Sequence, residues 1–496
     1  MLRRLLSPII ATYASVCILW IGFADGVAPN IIANAYNEQS LSVLNWVFQG
    51  HRSLPIGHYF DRWSEITTAV LIATILHLVI VLSIIGSDHK YLLVLGTSSK
   101  PDTRTNFVLI VFSAAFLALT ALSPTWGDYN LYVSQWKTVL EGRDPWLFDN
   151  INSSAYGPLF NLLSPLAWIN PRANKLFFAF AYLAYLIWLV KDFAPRRGIV
   201  VLSWPLSCLW LLNPFPWLAI ACLGYFDVLV ALACVAAVHN LIGRKDGISG
   251  TCLALGILLK YMPIVILPFL VFGERRLHFR LFIVCVGVVI FGLIMSVLVW
   301  GTSTFLPIAH ATTGHSYWSI YEVLAALRPD YVDPFVWLEK PLLVTFGLGM
   351  FVWCVLCRSR PAISAVLAIS VTLLFYRIGY IHYQMVPFVL IVYWVFSEWQ
   401  QLVERPTLVT LLGGYFGLLA ILDFPINWWE ENSPMGVLFY RCILMFKFLL
   451  GCALLAGLVH FSSLRAVTIA DQDTLRSPQT KSKSKLFSES SRNAVG

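Results

Sequence analysis

Long apolar segments alternate with short polar ones along almost the whole chain. A helix that crosses a bilayer needs about 20 apolar residues, and somewhat fewer where protein surrounds it. Twelve segments fit this pattern: 5–24, 66–86, 106–124, 174–190, 198–213, 225–241, 279–300, 341–357, 362–377, 383–397, 407–422 and 437–459. The pattern predicts an all-α polytopic membrane protein with about 12 transmembrane helices.

One further apolar stretch, residues 248–272, is interrupted in its middle by Lys260-Tyr261-Met262-Pro263. It is long enough for two half-spans but too short for two full spans. Backbone that leaves helical geometry at membrane depth is tolerated only where protein covers it or where it lines a cavity. We therefore expect a re-entrant or broken helix pair within the bundle.

The distribution of Lys and Arg predicts the orientation, because cytoplasmic loops carry an excess of these residues. With the N-terminus inside, most Lys and Arg residues fall on the inner side, and the broken pair begins and ends there. Three sizeable loops then lie outside, at residues 25–65, 125–173 and 301–340. We expect any chemistry to take place on that outer face.

Composition agrees with a membrane protein. The chain is 58% hydrophobic and 12% charged, which leaves too little charge to cover a soluble protein of 496 residues. The net charge of +8 is small for this length and does not indicate nucleic-acid binding. Nearly all ten cysteines lie within apolar runs, and the pair Cys354 and Cys357 has no second pair, so we expect packing there and no metal site.

The segment after the third span is the most informative for function. Residues 129–141 place apolar and aromatic side chains at helical spacing, which predicts an amphipathic helix lying in the membrane interface. Asp128 stands at the start of this helix and is well placed as its N-cap. A carboxylate there can also act as a general base that takes the proton from an attacking hydroxyl group. The two roles are compatible.

A series of short motifs resembles the GT-C glycosyltransferases. They follow in order: Gly127-Asp128-Tyr129, Gly142-Arg143-Asp144-Pro145-Trp146, Tyr156-Gly157-Pro158-Leu159, Leu211-Leu212-Asn213-Pro214, Gly224-Tyr225-Phe226-Asp227 and Lys260-Tyr261-Met262-Pro263. The resemblance covers about residues 105–275. More narrowly, the chain resembles glycosyltransferase family 87, the bacterial polyprenyl-phosphate-mannose-dependent mannosyltransferases. It is also similar to the catalytic subunit of GPI mannosyltransferase I.

The resemblance implies a GT-C-like bundle and an inverting transfer of a hexose, mannose in the family. The sugar comes from a polyprenyl-phosphate donor and passes to a lipid-linked or glycan acceptor on the non-cytosolic face. Asp128 falls on the family's proposed base. The GPI enzyme has a second acid two positions on, where this chain has Asn130. We therefore expect a metal-independent reaction without a cofactor. The match to the bacterial family favours a bacterial inner membrane with a periplasmic active site, and an endoplasmic reticulum membrane with a lumenal site is the alternative.

Four regions follow from this reading. Residues 1–104 form two N-terminal helices with an outer loop, and residues 105–300 form the catalytic module. Residues 301–462 form the C-terminal helices, and residues 463–496 form a disordered basic cytosolic tail. The expected partners are membrane lipids, the lipid-linked donor and the acceptor, with no nucleic acid.

Three basic residues are candidates for binding the donor phosphate. Lys260 lies in the break of the broken pair, and a buried ammonium needs an anion, which is either the phosphate or an acid such as Asp227. Arg377 presents a donor fork that suits phosphate, and His382 lies at the same outer turn. The candidates for binding substrate are Arg143, Tyr156, Asp227 and Tyr261; Asp227 is equally well explained as a helix cap or a tie to neighbouring backbone.

Two other classes of protein compete with this interpretation. A secondary transporter or flippase of a lipid-linked saccharide is expected to carry internal repeats and charges near the bilayer midplane. The chain shows no repeat, and its ionisable groups gather near the outer ends of the spans. A non-catalytic lipid-carrier subunit stays open, because the same pocket would bind the lipid.

Overall fold

The computed structural model describes residues 103–123, 128–147, 156–196, 210, 213–273, 276–310, 319–320, 323, 338–376, 381–398, 402, 408, 412–420 and 445–463. This part of the chain is helical and contains no strand. The predicted spans 5–24 and 66–86, most of the span 198–213, residue Arg377 and residues 464–496 of the predicted tail lie outside the described residues.

The longer helices of the described part are labelled in chain order. They are α1 Thr103–Leu122, α2 Asp128–Leu140, α3 Ala173–Trp188, α4 Asp227–Ile242, α5 Asp246–Leu259, α6 Phe279–Trp300, α7 Glu339–Leu356, α8 Pro361–Phe375, α9 Met385–Ser397 and α10 Met445–Ser463. Short α-helical pieces are Ser164–Ile169, Ala194–Arg196, Pro214–Pro216, Leu267–Val271 and Leu306–His310. Short 3-10 pieces are Pro158–Leu163, Met262–Ile266, Gly301–Phe305 and Ile381–Gln384, and π-helical turns lie at Leu189–Phe193 and Trp217–Cys222.

Three helices of the described part are long and apolar enough to cross a membrane: Ala173–Arg196, Phe279–Ile308 and Met445–Ser463. The predicted spans 225–241, 362–377 and 383–397 correspond to α4, α8 and α9, which have 16, 15 and 13 residues. Helices of that length reach across a bilayer only where protein surrounds them. The count of about 12 spans therefore stays a prediction, while the all-helical membrane character is supported.

The core of the bundle is formed by α4, which packs against α5, α8 and α9. Nearly every side chain of α8 and α9 is buried. In contrast, α6 and α7 expose large apolar side chains such as Phe291, Leu298 and Val344. Helices that are apolar on all sides, with one face not covered by protein, are typical of a protein that lies in a lipid bilayer.

The predicted interruption of residues 248–272 is present in the structure. Helix α5 ends at Leu259, and Lys260 adopts an extended conformation with φ −157° and ψ 127°. The chain then forms the 3-10 turn Met262–Ile266 and the short helix Leu267–Val271. Pro263 lacks a backbone N–H and cannot continue the ladder of α5, which explains the position of the break.

Helix α2 differs from the expectation that its apolar face lies in the membrane interface. Tyr129, Tyr132 and Trp136 are fully buried within the protein. The Trp136 indole Nε1 donates to the Phe160 carbonyl at 3.1 Å, which joins α2 to Pro158–Leu163. The helical periodicity predicted from the sequence is correct, but protein, rather than lipid, covers the aromatic face.

Candidate active site

Asp128 is the first residue of α2, and its side chain is 37% exposed. Its Oδ2 lies 3.6 Å from Nδ1 of the buried His382, which belongs to the 3-10 turn before α9. Within the described residues, no backbone N–H of α2 donates to this carboxylate. The position still suits an acid, because the N-terminus of a helix carries partial positive charge. Asp128 thus faces another element of the bundle instead of folding back onto its own helix.

A layer of aromatic rings lies beside Asp128 and is drawn from three elements. The Tyr132 ring of α2 meets the Tyr156 ring at 5.1 Å and the Phe226 ring at 5.5 Å, both edge to face. Tyr156 and Phe226 meet in the same way at 5.0 Å. Such edge-to-face arrangements are favoured by the ring quadrupoles. The layer fixes the first turn of α2 relative to the start of α4.

A buried ion pair lies next to this layer. The Lys260 Nζ is 2.5 Å from Asp227 Oδ1, and the two side chains are 2% and 0% exposed. The ammonium also lies 3.6 Å from the centroid of the Tyr383 ring, close enough for a cation–π interaction. Within the described residues, Asp227 Oδ2 has no hydrogen-bond partner. The structure therefore shows the ion-pair alternative for Lys260.

The break after α5 is also joined to the residues that end the 125–173 segment. Tyr156 and Lys260 form an isolated antiparallel bridge, and the Gly157 N–H donates to the Leu259 carbonyl at 2.9 Å. A Cβ on Gly157 would lie only 2.1 Å from the Leu258 carbonyl oxygen. Glycine at 157 is thus needed for the two backbones to approach this closely.

Electrostatics at Asp128 suit a proton acceptor. Partial burial raises the pKa of the Asp128 carboxyl above its usual range, and the nearby Lys260 ammonium acts in the opposite direction. Burial raises a carboxyl pKa because it disfavours the charged form, whereas a nearby cation favours it. A carboxylate with a raised pKa is a stronger base while it is still ionised near neutral pH.

The structure brings together five of the predicted site residues: Asp128, Tyr156, Asp227, Lys260 and His382. Tyr261 follows the break, and its hydroxyl donates to the Thr304 carbonyl at 3.5 Å. Arg143 is exposed and pairs with Glu141, outside this group. No group of three His, Cys, Asp or Glu side chains that could hold a metal ion is found in the part of the chain that the structure describes.

The sequence interpretation gave no role to one buried cation. The Lys175 ammonium donates to Ser123 Oγ at 2.5 Å and to the Cys222 carbonyl at 2.7 Å. It thereby joins the end of α1, the start of α3 and the turn before α4. Gly224 follows this turn with a positive φ of 71°, and a Cβ there would lie 2.7 Å from the Tyr129 ring. The available signal was a lysine at the start of a predicted span, next to the apolar run that begins at Leu176.

Residues 155–379 match the model of glycosyltransferase family 87. We call this matched segment the family 87 region. The resemblance predicted from the sequence is thereby confirmed. The family 87 region contains Tyr156, Asp227, Lys260, Tyr261 and Arg377, whereas Asp128, Arg143 and His382 lie outside it. A comparison with curated proteins gave no match.

Proposed function

We propose that this protein is an integral membrane hexosyltransferase, with mannose the sugar that the family resemblance favours. It moves the sugar from a polyprenyl-phosphate donor to a lipid-linked or glycan acceptor on the non-cytosolic face, in a bacterial inner membrane. The family 87 region and the apolar helices support a membrane glycosyltransferase. The observation that carries the proposal further is Asp128, a partly exposed carboxylate beside buried His382.

The proposed reaction is an inverting displacement without a metal. The acceptor hydroxyl oxygen attacks the anomeric carbon of the donor sugar, and Asp128 takes the hydroxyl proton. The bond from the anomeric carbon to the phosphate oxygen breaks, and polyprenyl phosphate leaves with the electron pair. General-base assistance by a positioned carboxylate contributes about 10²–10⁴-fold to such a step.

The other site residues support binding in this proposal. His382 lies beside the carboxylate of Asp128. A donor phosphate bound by His382 would therefore lie close to the base that activates the acceptor hydroxyl. Phosphate binding by His382 and Arg377, and substrate binding by Arg143, Tyr156, Asp227 and Tyr261, stay predictions. Of these, Tyr156 and Asp227 are enclosed by neighbouring side chains, and Arg143 is exposed.

The experiment is sugar transfer by the purified protein in detergent. Radiolabelled polyprenyl-phosphate mannose and polyprenyl-phosphate glucose are supplied separately, with a total lipid and glycan extract as the source of acceptor. We expect label to move from the donor to a new product, and to do so equally well with EDTA present. Transfer from a nucleotide sugar, or from neither lipid-linked sugar, would contradict the proposal.

A further inference from the structure

Lys260 is enclosed on every side that the described structure shows. Its side chain is 2% exposed, its Nζ is paired with Asp227, and the Tyr383 ring covers it at 3.6 Å. The Phe226 and Tyr156 rings lie at 5.4 and 5.9 Å. A buried ammonium needs an anion, and Asp227 already supplies one. A donor phosphate would have to displace both a carboxylate and an aromatic ring to reach Nζ.

The position of Lys260 in the chain indicates a structural role for the ion pair. The side chain joins the first turn of α4, through Asp227, to the point where α5 ends. The backbone of Lys260 joins the same point to Tyr156. The Tyr383 ring that covers the Lys260 ammonium also packs edge to face on His382 at 4.6 Å, and His382 lies 3.6 Å from Asp128. One residue therefore connects the helix break, the aromatic layer and the proposed base.

We infer that Lys260 is a positioning residue, which holds Asp227, the helix break and the rings beside Asp128 in place, and that it does not bind the donor phosphate. The inference rests on the proposed function and replaces the phosphate role that the sequence suggested for this lysine. It predicts that the charge of Lys260 is needed only while the charge of Asp227 is present.

The experiment compares Lys260→Met, Asp227→Asn and the double variant that carries both changes. Lys137→Met is the matched control, because Lys137 is an exposed lysine on α2. Three quantities are measured on each purified variant: the thermal unfolding midpoint, the affinity for radiolabelled undecaprenyl phosphate, and the acid limb of the pH–rate profile. Within the described residues, the titratable groups around Asp128 are Tyr132, Tyr156, Asp227, Lys260 and His382.

We expect Lys260→Met to lower the unfolding midpoint, because it leaves Asp227 buried without its counter-ion, and the double variant to recover most of that loss. The double variant should bind undecaprenyl phosphate within about twofold of wild type, since no phosphate contact is lost. The acid limb should move to higher pH in Lys260→Met, because the cation that favours ionised Asp128 is gone, and return towards wild type in the double variant.

Two results would overturn the inference. A double variant that is folded but binds undecaprenyl phosphate about tenfold more weakly or worse would make Lys260 a phosphate ligand, since a lost charge-assisted contact has that size. A double variant no more stable than Lys260→Met would show that the pair does not hold the fold. Both readouts are independent of sugar transfer, so failure of the proposed function and failure of this inference can be told apart.

Discussion

Asp128 can cap its helix or accept a proton, and the geometry separates the two roles. A capping carboxylate accepts a hydrogen bond from a backbone N–H in the first turn. Within the described residues, Asp128 makes no such bond and points instead to His382, 3.6 Å away. The interaction that would make Asn or Ser an adequate replacement is therefore absent from this part of the chain, and the proton-acceptor role is favoured.

We expect Asp128→Asn to lower turnover by about 10²–10⁴-fold, because an amide cannot take the acceptor proton near neutral pH. Donor binding and thermal stability should stay near wild type. Asp128→Glu keeps the base but moves it by a methylene, and a misplacement of about 1 Å can cost ~10²-fold in rate. Turnover, donor affinity and unfolding midpoint of the purified variants check this.

Asp128→Ser is the matched control, because Ser caps helices as well as Asp does but is not a base near neutral pH. A folded Asn or Ser variant that turns over at the wild-type rate would remove Asp128 as the base. Another carboxylate would then have to act as the base, and two described ones are already engaged in other contacts. Asp144 already accepts hydrogen bonds from the Trp146 N–H and the Ser303 hydroxyl, and Asp227 is paired with Lys260.

The pH dependence of the reaction gives a second test of Asp128. Burial raises the pKa of this carboxyl above its ordinary value of 3.8. A general base works only when deprotonated, so kcat/KM should be constant above the raised pKa and fall as the pH drops through it. We expect this acid limb at a higher pH than an ordinary Asp would give. The residual activity of Asp128→Asn should show no such acid limb. An acid limb at or below the ordinary value would contradict the burial argument.

What surrounds an individual side chain was the property that the sequence predicted least well. The helical spacing of Tyr129, Tyr132 and Trp136 predicts a helix with one aromatic face, but spacing does not distinguish a face covered by lipid from one covered by protein. For Lys260, the sequence left both a phosphate and an acid open. The answer depends on Asp227, which lies 33 positions away and reaches Lys260 only through the packing of α4 on α5.

The broken helix pair shows what sequence predicts well at the scale of elements. A lysine followed closely by proline within an apolar run marks a local interruption, since proline removes a backbone donor and its ring clashes with the preceding turn. The structure places the break at Lys260, as predicted. The pairing of this break with Tyr156 was not predictable, because it joins segments about a hundred residues apart and has no local signature.

Gly157 gives a test of that pairing. A Cβ at this position would lie 2.1 Å from the Leu258 carbonyl oxygen, so Gly157→Ala forces the two backbones apart. Inserted atoms in a tightly packed place typically cost about 1–3 kcal/mol. We expect a lower unfolding midpoint and reduced turnover, since the shift moves Tyr156 and the break at Lys260. Thermal unfolding and sugar transfer by the purified variant check both effects.

Gly287→Ala is the matched control for this change. Gly287 lies in the middle of α6, and a Cβ there would meet nothing within 4 Å. Alanine is favoured over glycine in a helix by about 0.8–1.0 kcal/mol, so this variant should be at least as stable as wild type. If Gly157→Ala unfolds at the same temperature as Gly287→Ala, the backbones are not held as closely as the structure shows.

At the scale of the whole molecule, the apolar pattern identifies helices better than it identifies spans. A hydropathy window responds equally to lipid and to a protein core. Helices α8 and α9 are apolar and were predicted to be spans, yet they are short and almost wholly buried by their neighbours. Helices α6 and α7 have a similar apolar character and expose large side chains. Only the packing of the bundle separates these two kinds of helix.

The orientation of the bundle in the membrane is a prediction, and the two ends of α4 allow it to be tested directly. Asp227, at one end of α4, lies in the candidate site, and Lys245 follows the other end. A helix of 16 residues is about 24 Å long, most of the thickness of a hydrocarbon core. The excess of Lys and Arg near Lys245 predicts that this end is cytoplasmic and that the site lies on the opposite side.

We therefore expect opposite labelling of two single cysteines in a variant without native cysteines. Glu141→Cys, just after α2, should react with a membrane-impermeant thiol reagent in intact cells. Lys245→Cys should react only after permeabilisation; both positions are exposed, so access to the side chain is not the limiting factor. The parent without cysteines is the control for background. The reverse pattern would place Asp128 on the cytoplasmic side, where a donor presented on the outer face cannot reach it, and the proposed reaction would fail with the topology.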